Sequence, residues 1–445
     1  MSSNRADSSD PRGLKLMLRA LRHRNYRLYF AGQGISLIGT WMQSVALSWL
    51  VYRLTGSAFL LGAVGFTGQI PALVLMPFGG VLADRLQRRR ILIVTQSLAM
   101  VQAFVLAALV LTHLIQVWHI LLLSMFLGIV NAFDAPTRQS FVVEMTPNRE
   151  DLANAIALNS SVFNGARLVG PSIAGVLIVA VGEGVCFLLN GISYIAVIAC
   201  LFAMRIAPRQ AASQGRAVWE GLKEGFSYGF GFLPIRYILM LISLGSLVGM
   251  PYVILMPVFA RTVLHGGPQT LGLLAASAGA GAITGALFLA SRRTVLGLER
   301  WIALASGTFG VGLIAFSFSR YLWLSAPLVV VAGFGMMVQM ASSNTIIQTI
   351  VDEDKRGRVM SLYTMAFMGV APFGSLLAGS LASKIGPQHT VMLGGAAVIL
   401  GSVTFASRLP KLRQQIRPIY ARLGILPEVA SGVQAATELA VPPES

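Results

Sequence analysis

Twelve apolar runs of about 20 residues recur along the chain and constrain its fold more than any other feature. The hydrocarbon core of a bilayer is about 30 Å thick, and a helix of about 20 apolar residues spans it. Helices satisfy their own backbone hydrogen bonds, so each run can cross lipid. The predicted spans are 28–52, 58–82, 91–112, 118–133, 152–181 and 184–204, then 237–260, 271–290, 301–318, 322–340, 359–382 and 389–405.

The composition agrees with a chain that lies in a lipid bilayer. Apolar residues make up 55% of the sequence and charged residues 11%, against about 45–50% and about 25% in soluble domains. The sequence therefore predicts an all-α integral membrane protein with twelve transmembrane helices. We expect an N-terminal segment at 1–27, a six-helix bundle at 28–204, a connector with an amphipathic helix at 205–236, a second six-helix bundle at 237–405 and a largely disordered tail at 406–445.

The net charge of +17 is distributed as membrane topology requires. The 34 Lys and Arg residues lie almost entirely in the termini and in every second loop. The intervening loops hold Arg53, Arg261, Arg320 and Lys384, and Arg167 lies inside a span. The positive-inside rule then places both termini and the connector in the cytoplasm. A nucleic-acid partner is not expected, because its binding face would cluster the charge.

An internal repeat relates the fifth and eleventh spans. Residues 165–175 read GARLVGPSIAG and residues 369–379 read GVAPFGSLLAG. The shared positions are Gly165, Gly170 and Gly175 in the first segment and Gly369, Gly374 and Gly379 in the second. Together with six spans in each half, this repeat predicts two pseudo-symmetric bundles. Glycines at such spacings permit close contact between membrane helices.

The loop after the second span carries a distinctive pattern of a glycine, an acid and several bases. It reads GVLADRLQRRR from Gly80, with Asp84, Arg85, Arg88 and Arg89 at the informative positions. This pattern resembles the signature that the major facilitator superfamily carries between its second and third helices, although Gln87 stands where the general pattern has glycine. The resemblance implies a gating motif, in which the glycine lets a helix of the other half approach and the aspartate faces a helix N-terminus. The alternative, a positive-inside anchor, accounts for the arginines alone.

Asp134 and Arg138 lie near the end of the fourth span, in the segment NAFDAPTR. The resemblance implies that an acid at this position pairs with a loop arginine, here Arg88 or Arg85. Alternatively, Asp134 caps the turn ahead of Pro136. Both interpretations remain open at the level of sequence.

The fifth span combines a Gly-Pro step with a charge. Gly170 and Pro171 resemble the glycine-proline signature of the fifth helix that is associated with antiporters in the superfamily, which implies export; Gly-Pro also occurs in membrane helices that neighbours simply accommodate. Arg167 lies near the middle of this span, where insertion of an arginine costs about 2.5–3.5 kcal/mol. It is interpreted as a hydrogen-bond hub near Asn164, as a substrate contact or as a coupling group.

Polar side chains form a stripe on the first span and a pair on the tenth. They are Gln33, Ser36, Thr40 and Gln43 on the first and Gln339 and Ser343 on the tenth. With Asn164 and Arg167 they either line a midplane cavity or form hydrogen bonds between helices. No carboxylate lies deep in any of the predicted spans. Because antiport of protons usually needs such a group, the sequence leaves the coupling ion open, with protons as one candidate.

Three runs, 39–57, 79–90 and 152–171, resemble the bacterial branch of the superfamily that includes enterobactin exporters and is often labelled transmembrane secretion effectors. The resemblance covers about 21–407. It implies a monomeric secondary active transporter of the bacterial inner (plasma) membrane that works by alternating access and exports a small amphipathic molecule such as a siderophore or a drug. The alternatives are an importer or facilitator of a small polar solute with the same fold, and a channel or non-transporting receptor.

Catalytic chemistry is not expected from this sequence. The five histidines fall at span ends or in loops, so no His cluster within the spans provides a metal site or a hydrolytic site. We therefore expect no enzyme activity, no metal and no cofactor, and take the small-molecule substrate and the lipid bilayer as the partners.

Overall fold

The computed structural model describes residues 18–146, 149–205, 227–292 and 294–425, and the regular secondary structure in these ranges is helical. Within them, twelve helices are long and apolar enough to cross a membrane, which confirms the predicted fold class. In chain order they are α1 (Arg24–Thr55), α2 (Ala58–Arg85), α3 (Arg88–Leu111), α4 (Val117–Met145), α5 (Arg149–Val181), α6 (Glu183–Ala203), α7 (Leu233–Val263), α8 (Pro268–Ala290), α9 (Leu298–Phe318), α10 (Leu322–Ile350), α11 (Lys355–Ile385) and α12 (Pro387–Arg422).

Short turns between the helices follow from the local sequence. Gly56 ends α1 with φ at 61°, a left-handed conformation that glycine adopts without steric cost. The next residue, Ser57, starts α2 because its hydroxyl accepts a hydrogen bond from the Leu60 amide at 3.3 Å. Such tight connections make successive helices antiparallel, so the odd-numbered helices all begin on one side of the molecule. We call this side the basic face, since Arg85, Arg205 and Arg292 lie on it, and the other side the opposite face.

The buried apolar core differs between the two faces. Toward the opposite face, one cluster of described side chains joins α1–α6 to α7–α12; it includes Leu50 and Phe187 from the first half and Phe259 and Phe309 from the second. Toward the basic face, the core divides. One cluster there contains Tyr26, Leu92, Phe141 and Leu201, all from the first half, and another contains Ile235, Ile302, Ile346 and Phe405, all from the second.

Helices α7 and α11 are interrupted by π turns, which the sequence analysis does not anticipate. In α7 they lie at Gly245–Gly249 and Phe259–Val263, and in α11 the π turn lies at Met365–Gly369. The Ser246 hydroxyl in α7 donates a hydrogen bond to the Phe367 carbonyl in α11 at 2.5 Å. Because π turns are frequent at functional sites, this pair of helices is a candidate for the moving or binding part of the second half.

The last helix is longer than predicted. The sequence analysis ends the twelfth span near residue 405 and expects disorder beyond a short basic stretch at about 411–422; in the structure α12 continues through that stretch to Arg422. The extension is held because Leu412, Ile416 and Tyr420 recur every four residues and are buried in the basic-face cluster of the second half. Arg413 also pairs with Glu299 at 2.8 Å. Residues 426–445 and most of the connector with its expected amphipathic helix, 206–226, lie outside the described residues.

A carboxylate fastens the segment before α1 to the start of α5. Asp151 receives His23 Nε2 at 2.7 Å and Arg22 at 2.6 Å, and it also pairs with Arg19. The Ala20 amide donates to the side chain of Asn154 at 2.9 Å. The hydrogen bond from His23, followed by the hydrogen bond from Arg22 and the charges of Arg22 and Arg19, lowers the pKa of Asp151 below its ordinary value.

This lowered pKa predicts a pH-dependent contribution to stability. Because the folded protein favours the charged carboxylate, the contribution is fully present above the unfolded pKa of about 4 and is lost as the pH falls through the lower folded value. Asp151→Asn should therefore lower the thermal midpoint at pH 7, and its difference from the wild type should shrink below about pH 4. The matched control is Asp352→Asn, which removes an exposed ion pair with Lys355. A constant difference at every pH would contradict the role given to the Asp151 charge.

Candidate functional site

Helices α5 and α8 form one of two seams between the halves. A Cβ added at Gly272 would lie 2.6 Å from the carbonyl oxygen of Pro171 and 2.9 Å from the Cα of Gly175. One turn or more toward the basic face, a Cβ at Gly279 would lie 2.9 Å from the carbonyl oxygen of Arg167. The two backbones therefore touch wherever glycine allows it, from the opposite face to the level of Arg167.

Helices α2 and α11 form the second seam. A Cβ added at Gly62 would lie 2.5 Å from the carbonyl oxygen of Ser375, and one at Gly379 would lie 2.7 Å from the carbonyl oxygen of Ala58. The rings of Phe66 and Phe373 meet edge to face with centroids 5.9 Å apart. This seam also lies toward the opposite face.

The remaining glycines of the repeat have other surroundings. Gly170 packs within the first half, where a Cβ would lie 2.7 Å from the Cβ of Trp41, and Gly374 packs within the second half, 2.5 Å from the carbonyl oxygen of Leu247. Gly369 faces the side chain of Leu73 at 2.8 Å. By contrast, Gly165 and Gly80, both nearer the basic face, have open space where a Cβ would stand. Among these glycines, close contact between the halves lies toward the opposite face, which agrees with the separate cores of the two halves toward the basic face.

Arg167 lies where the closed part of the interface ends. Its guanidinium carbon is 5.8 Å from the centroid of the Trp41 ring. Among the described residues it makes no ion pair and no side-chain hydrogen bond, and the nearby Asn164 donates to the Ser160 carbonyl at 2.9 Å instead. The interpretation of Arg167 as a hydrogen-bond hub is therefore not supported. Because an arginine in a membrane helix costs about 2.5–3.5 kcal/mol, a partner outside the described contacts is needed to offset that cost.

The polar stripe of α1 divides between the bundle interior and its surface. Gln43 is buried, donates to Gln102 at 3.1 Å and accepts from Asn190 at 2.8 Å, so it joins α1, α3 and α6 rather than lining a cavity. Gln33 and Ser36 are also buried. Thr40 is exposed and donates to the carbonyl of Ser36 at 2.9 Å. Thr40 is therefore the one described residue of this stripe that remains a candidate for a cavity wall.

The two polar residues of α10 are both buried, and one of them lines a pocket inside the second half. Gln339 borders a small pocket, and the Ser343 hydroxyl has no hydrogen-bond partner among the described residues. The pocket wall is formed by Ile242, Gly245, Ser246, Met250, Phe309, Met336, Gln339, Met340 and Phe367. Three methionines and two π turns give this wall an adaptable shape.

The arginines of the loop motif bind helix ends of the first half. Arg88 pairs with Glu144 at 2.8 Å and donates to the carbonyls of Ala83 and Ser140, and so ties α2 to α4. Arg89 donates to the carbonyl of Leu201 at 2.7 Å at the end of α6. Arg85 is exposed, and the side chain of Asp84 lies outside the part of the chain that the structure describes.

Neither interpretation of Asp134 is correct. Asp134 lies inside α4, which continues through Pro136, so it caps no turn. It pairs with Arg138 at 3.2 Å rather than with a loop arginine. Thr95 and Gln96 donate to its Oδ1 at 2.9 and 2.8 Å. With 2% of its surface exposed, Asp134 is a buried carboxylate within a span, contrary to the expectation that none lies deep.

Two residues of this region escaped the sequence analysis. Glu144 is the partner of Arg88, and the signal that could have found it is an acid at the basic-face end of α4 opposite four loop arginines. Tyr252 is 2% exposed, its hydroxyl has no hydrogen-bond partner among the described residues, and it interacts electrostatically with Arg167 across the interface. No local pattern in the sequence marks Tyr252.

Comparisons with known proteins agree with this architecture. The family of transmembrane secretion effectors matches residues 17–424. The chain is 26% identical to a Staphyloferrin A transporter of Staphylococcus aureus, over 85% of this chain and 95% of that protein. It is 26% identical to the multidrug efflux pump Tap of Mycolicibacterium fortuitum, over 86% and 93%, and 25% identical to macrolide efflux protein A of Streptococcus pyogenes, over 85% and 95%.

Solved structures share the fold at low sequence identity. The nucleoside transporter NupG superposes with a TM-score of 0.69 at 13% identity and covers 88% of this chain and 99% of its own. A bacterial homologue of the lysosomal transporter Spinster superposes with a TM-score of 0.64 at 15% identity, over 90% and 96%. These similarities establish the twelve-helix transporter fold.

Proposed function

Because the chain belongs to the transmembrane secretion effector family and is a multi-pass major facilitator transporter of a bacterial membrane rather than an enzyme, we propose that it exports a small amphipathic molecule by alternating access. The observation that carries the proposal is the division of the core. One buried cluster joins the halves toward the opposite face, and separate clusters serve each half toward the basic face. Such a molecule can rock about its middle while each half keeps its own packing.

The orientation and direction follow from charge and from the relatives. If the basic face is cytoplasmic, as the positive-inside rule requires, the interface is open to the cytoplasm, where an exporter loads its substrate. Two of the relatives are a multidrug efflux pump and a macrolide efflux protein, which supports export. The pathway lies between the halves of a single chain, which favours a monomer in the inner membrane.

The lining of the pocket in the second half is the reason why we propose an amphipathic substrate. Its wall is mainly apolar, with Met250, Met336 and Met340 as flexible side chains and Ser246 and Gln339 as polar groups. Binding sites of this kind fix an apolar body through shape and orient it by a few polar contacts.

The proposed driving ion is the proton. Asp134 is a carboxylate buried about three helical turns from the basic-face end of α4. Carboxylates inside membrane spans are the side chains that proton relays in transporters commonly use.

An efflux-deficient bacterial host that expresses the protein should tolerate a several-fold higher concentration of at least one amphipathic antimicrobial than the same host with an empty vector. Inverted membrane vesicles from that host should accumulate the compound when a proton gradient is imposed, because their basic face points outward. A protonophore should abolish the accumulation. Radiolabelled compound retained on filters measures both effects.

The same vesicles separate the rival functions. Accumulation by right-side-out vesicles alone would indicate an importer. A flux that rises linearly with concentration and shows no counterflow would indicate a channel. No flux of any tested compound in either orientation would contradict transport of amphipathic substrates.

A further inference from the structure

Arg167 and Tyr252 belong to different halves of the molecule, interact electrostatically and make no side-chain hydrogen bond among the described residues. Arg167 of α5 is half-buried, lies 5.8 Å from the Trp41 ring centroid and makes no ion pair with any described carboxylate. Tyr252 of α7 is 2% exposed, and its hydroxyl oxygen lacks a hydrogen-bond partner among the described residues. Buried polar groups in folded proteins are nearly always satisfied, so the Tyr252 hydroxyl requires an explanation, and so does an arginine inside a membrane helix without an ion-pair partner.

The position of these groups relates them to the transport pathway. The backbone of Arg167 touches α8 at Gly279, at the inner end of the α5–α8 seam. Tyr252 belongs to the apolar cluster that joins the halves, and its ring meets that of Phe309, a wall residue of the pocket in the second half, with centroids 6.2 Å apart. The pair therefore lies where the open part of the interface meets its closed part.

The chemical groups of Arg167 and Tyr252 favour a negatively charged ligand. A guanidinium presents a planar set of donors that matches a carboxylate or a phosphate, and a tyrosine hydroxyl can donate one more hydrogen bond. A ligand cation would be repelled by Arg167, which already occupies the Trp41 ring through a cation–π contact. An oxyanion would satisfy both groups at once.

We propose that Arg167 and Tyr252 together bind the oxyanion, a carboxylate or phosphate group, of an acidic amphipathic substrate. The inference rests on the proposed export function and narrows its substrate class. Since the two residues come from different halves, the bound anion links the halves at the inner end of the seam. Substrate binding then stabilises the conformation in which the opposite face is closed.

Thermal unfolding of the protein in nanodiscs tests the proposal with three probes that share one skeleton: phenylbutyrate, phenylbutylamine and phenylbutanol. The acid should raise the midpoint of the wild type above the values with the amine and the alcohol at equal concentration. Phenylphosphonate, measured beside phenylbutyrate, distinguishes a phosphate preference from a carboxylate preference. Titration of the midpoint gives an apparent affinity for each probe.

Four variants assign the effect to the proposed residues. Arg167→Gln should weaken the apparent affinity for the acid at least about 10-fold and remove the preference over the amine, because the charge-assisted hydrogen bonds are lost. Arg167→Lys should retain part of the preference, and Tyr252→Phe should weaken acid binding while folding normally, since one hydroxyl is removed. Arg261→Gln, a matched charge removal on the opposite face, should behave as the wild type.

The inference is overturned if neither acid stabilises the wild type, if the amine or the alcohol stabilises it equally, or if Tyr252→Phe and Arg167→Gln both retain full acid selectivity. Should Arg167→Gln fail to fold, Arg167→Lys and Tyr252→Phe decide the outcome. An exporter that moves compounds without any acid selectivity would overturn this inference and leave the proposed function standing. Acid-selective binding without transport in vesicles would overturn the proposed function and leave this inference standing.

Discussion

Gly272→Leu is expected to slow transport by about 5-fold to about 150-fold and to open the opposite face of the molecule. A Cβ at this position would lie 2.6 Å from the Pro171 carbonyl oxygen and 2.9 Å from the Cα of Gly175. Overpacking of this kind costs about 1–3 kcal/mol. The cost applies only while the α5–α8 seam is closed, so the equilibrium shifts toward conformations in which the seam is open.

Spin labels across the other seam would report this shift without disturbing the mutated one. Phe59 and Ser383 are exposed at the opposite-face ends of α2 and α11, and cysteines placed there in a background that lacks Cys186 and Cys200 can be labelled. Distances between the labels should lengthen in Gly272→Leu compared with the wild type. Gly272→Ala should give a smaller change in the same direction.

Gly165→Leu is the matched control for this prediction. It introduces the same side chain on α5, at a glycine with open space around its Cβ position. Its label distances on the opposite face should not lengthen, because the added side chain meets no neighbour while that face is closed. Unchanged transport and distances in Gly272→Leu, at normal abundance, would show that the α5–α8 seam does not open during the cycle.

The sequence was sufficient for the fold because the constraint of the bilayer acts on every span separately. Length and hydropathy of each run decide whether a helix crosses lipid, and the structure contains the twelve expected helices. The helical continuation of α12 beyond residue 405 was not predicted, for a physical reason. Its last turns are held by contacts of Leu412 and Ile416 with other helices, and a hydropathy window cannot detect such contacts.

Partners of polar residues were harder to predict than helices because they depend on how helices are rotated against each other. Gln43 and Thr40 stand on neighbouring turns of α1, yet one binds inside the bundle and the other is exposed. One of the two interpretations of Asp134 placed it at a turn because Pro136 follows it, whereas the helix continues through that proline. A proline in a membrane helix is tolerated when its neighbours satisfy the freed backbone groups, and this compensation is tertiary information.

Asp134→Leu is expected to lower the free energy of unfolding by up to about 3–5 kcal/mol, because it leaves the Arg138 guanidinium and the Thr95 and Gln96 donors without their common acceptor. Removal of one partner from a buried ion pair costs more than replacement of both by apolar groups of similar size. The double variant Asp134→Leu with Arg138→Met should therefore recover most of the lost stability. Unfolding of the purified variants in mixed micelles measures the four corners of this cycle.

The double variant also tests whether Asp134 takes part in coupling. A stable protein without a carboxylate at position 134 should still exchange substrate by counterflow, but an imposed proton gradient should no longer drive accumulation in inverted vesicles. A purely structural role for the pair predicts instead that gradient-driven transport returns together with stability. Glu144→Gln, which removes the acid of the partly exposed Arg88 pair, serves as the control and should keep gradient-driven transport. Full gradient-driven transport by the stable double variant would therefore exclude Asp134 as the proton carrier and leave the ion pair as a packing element of α3 and α4.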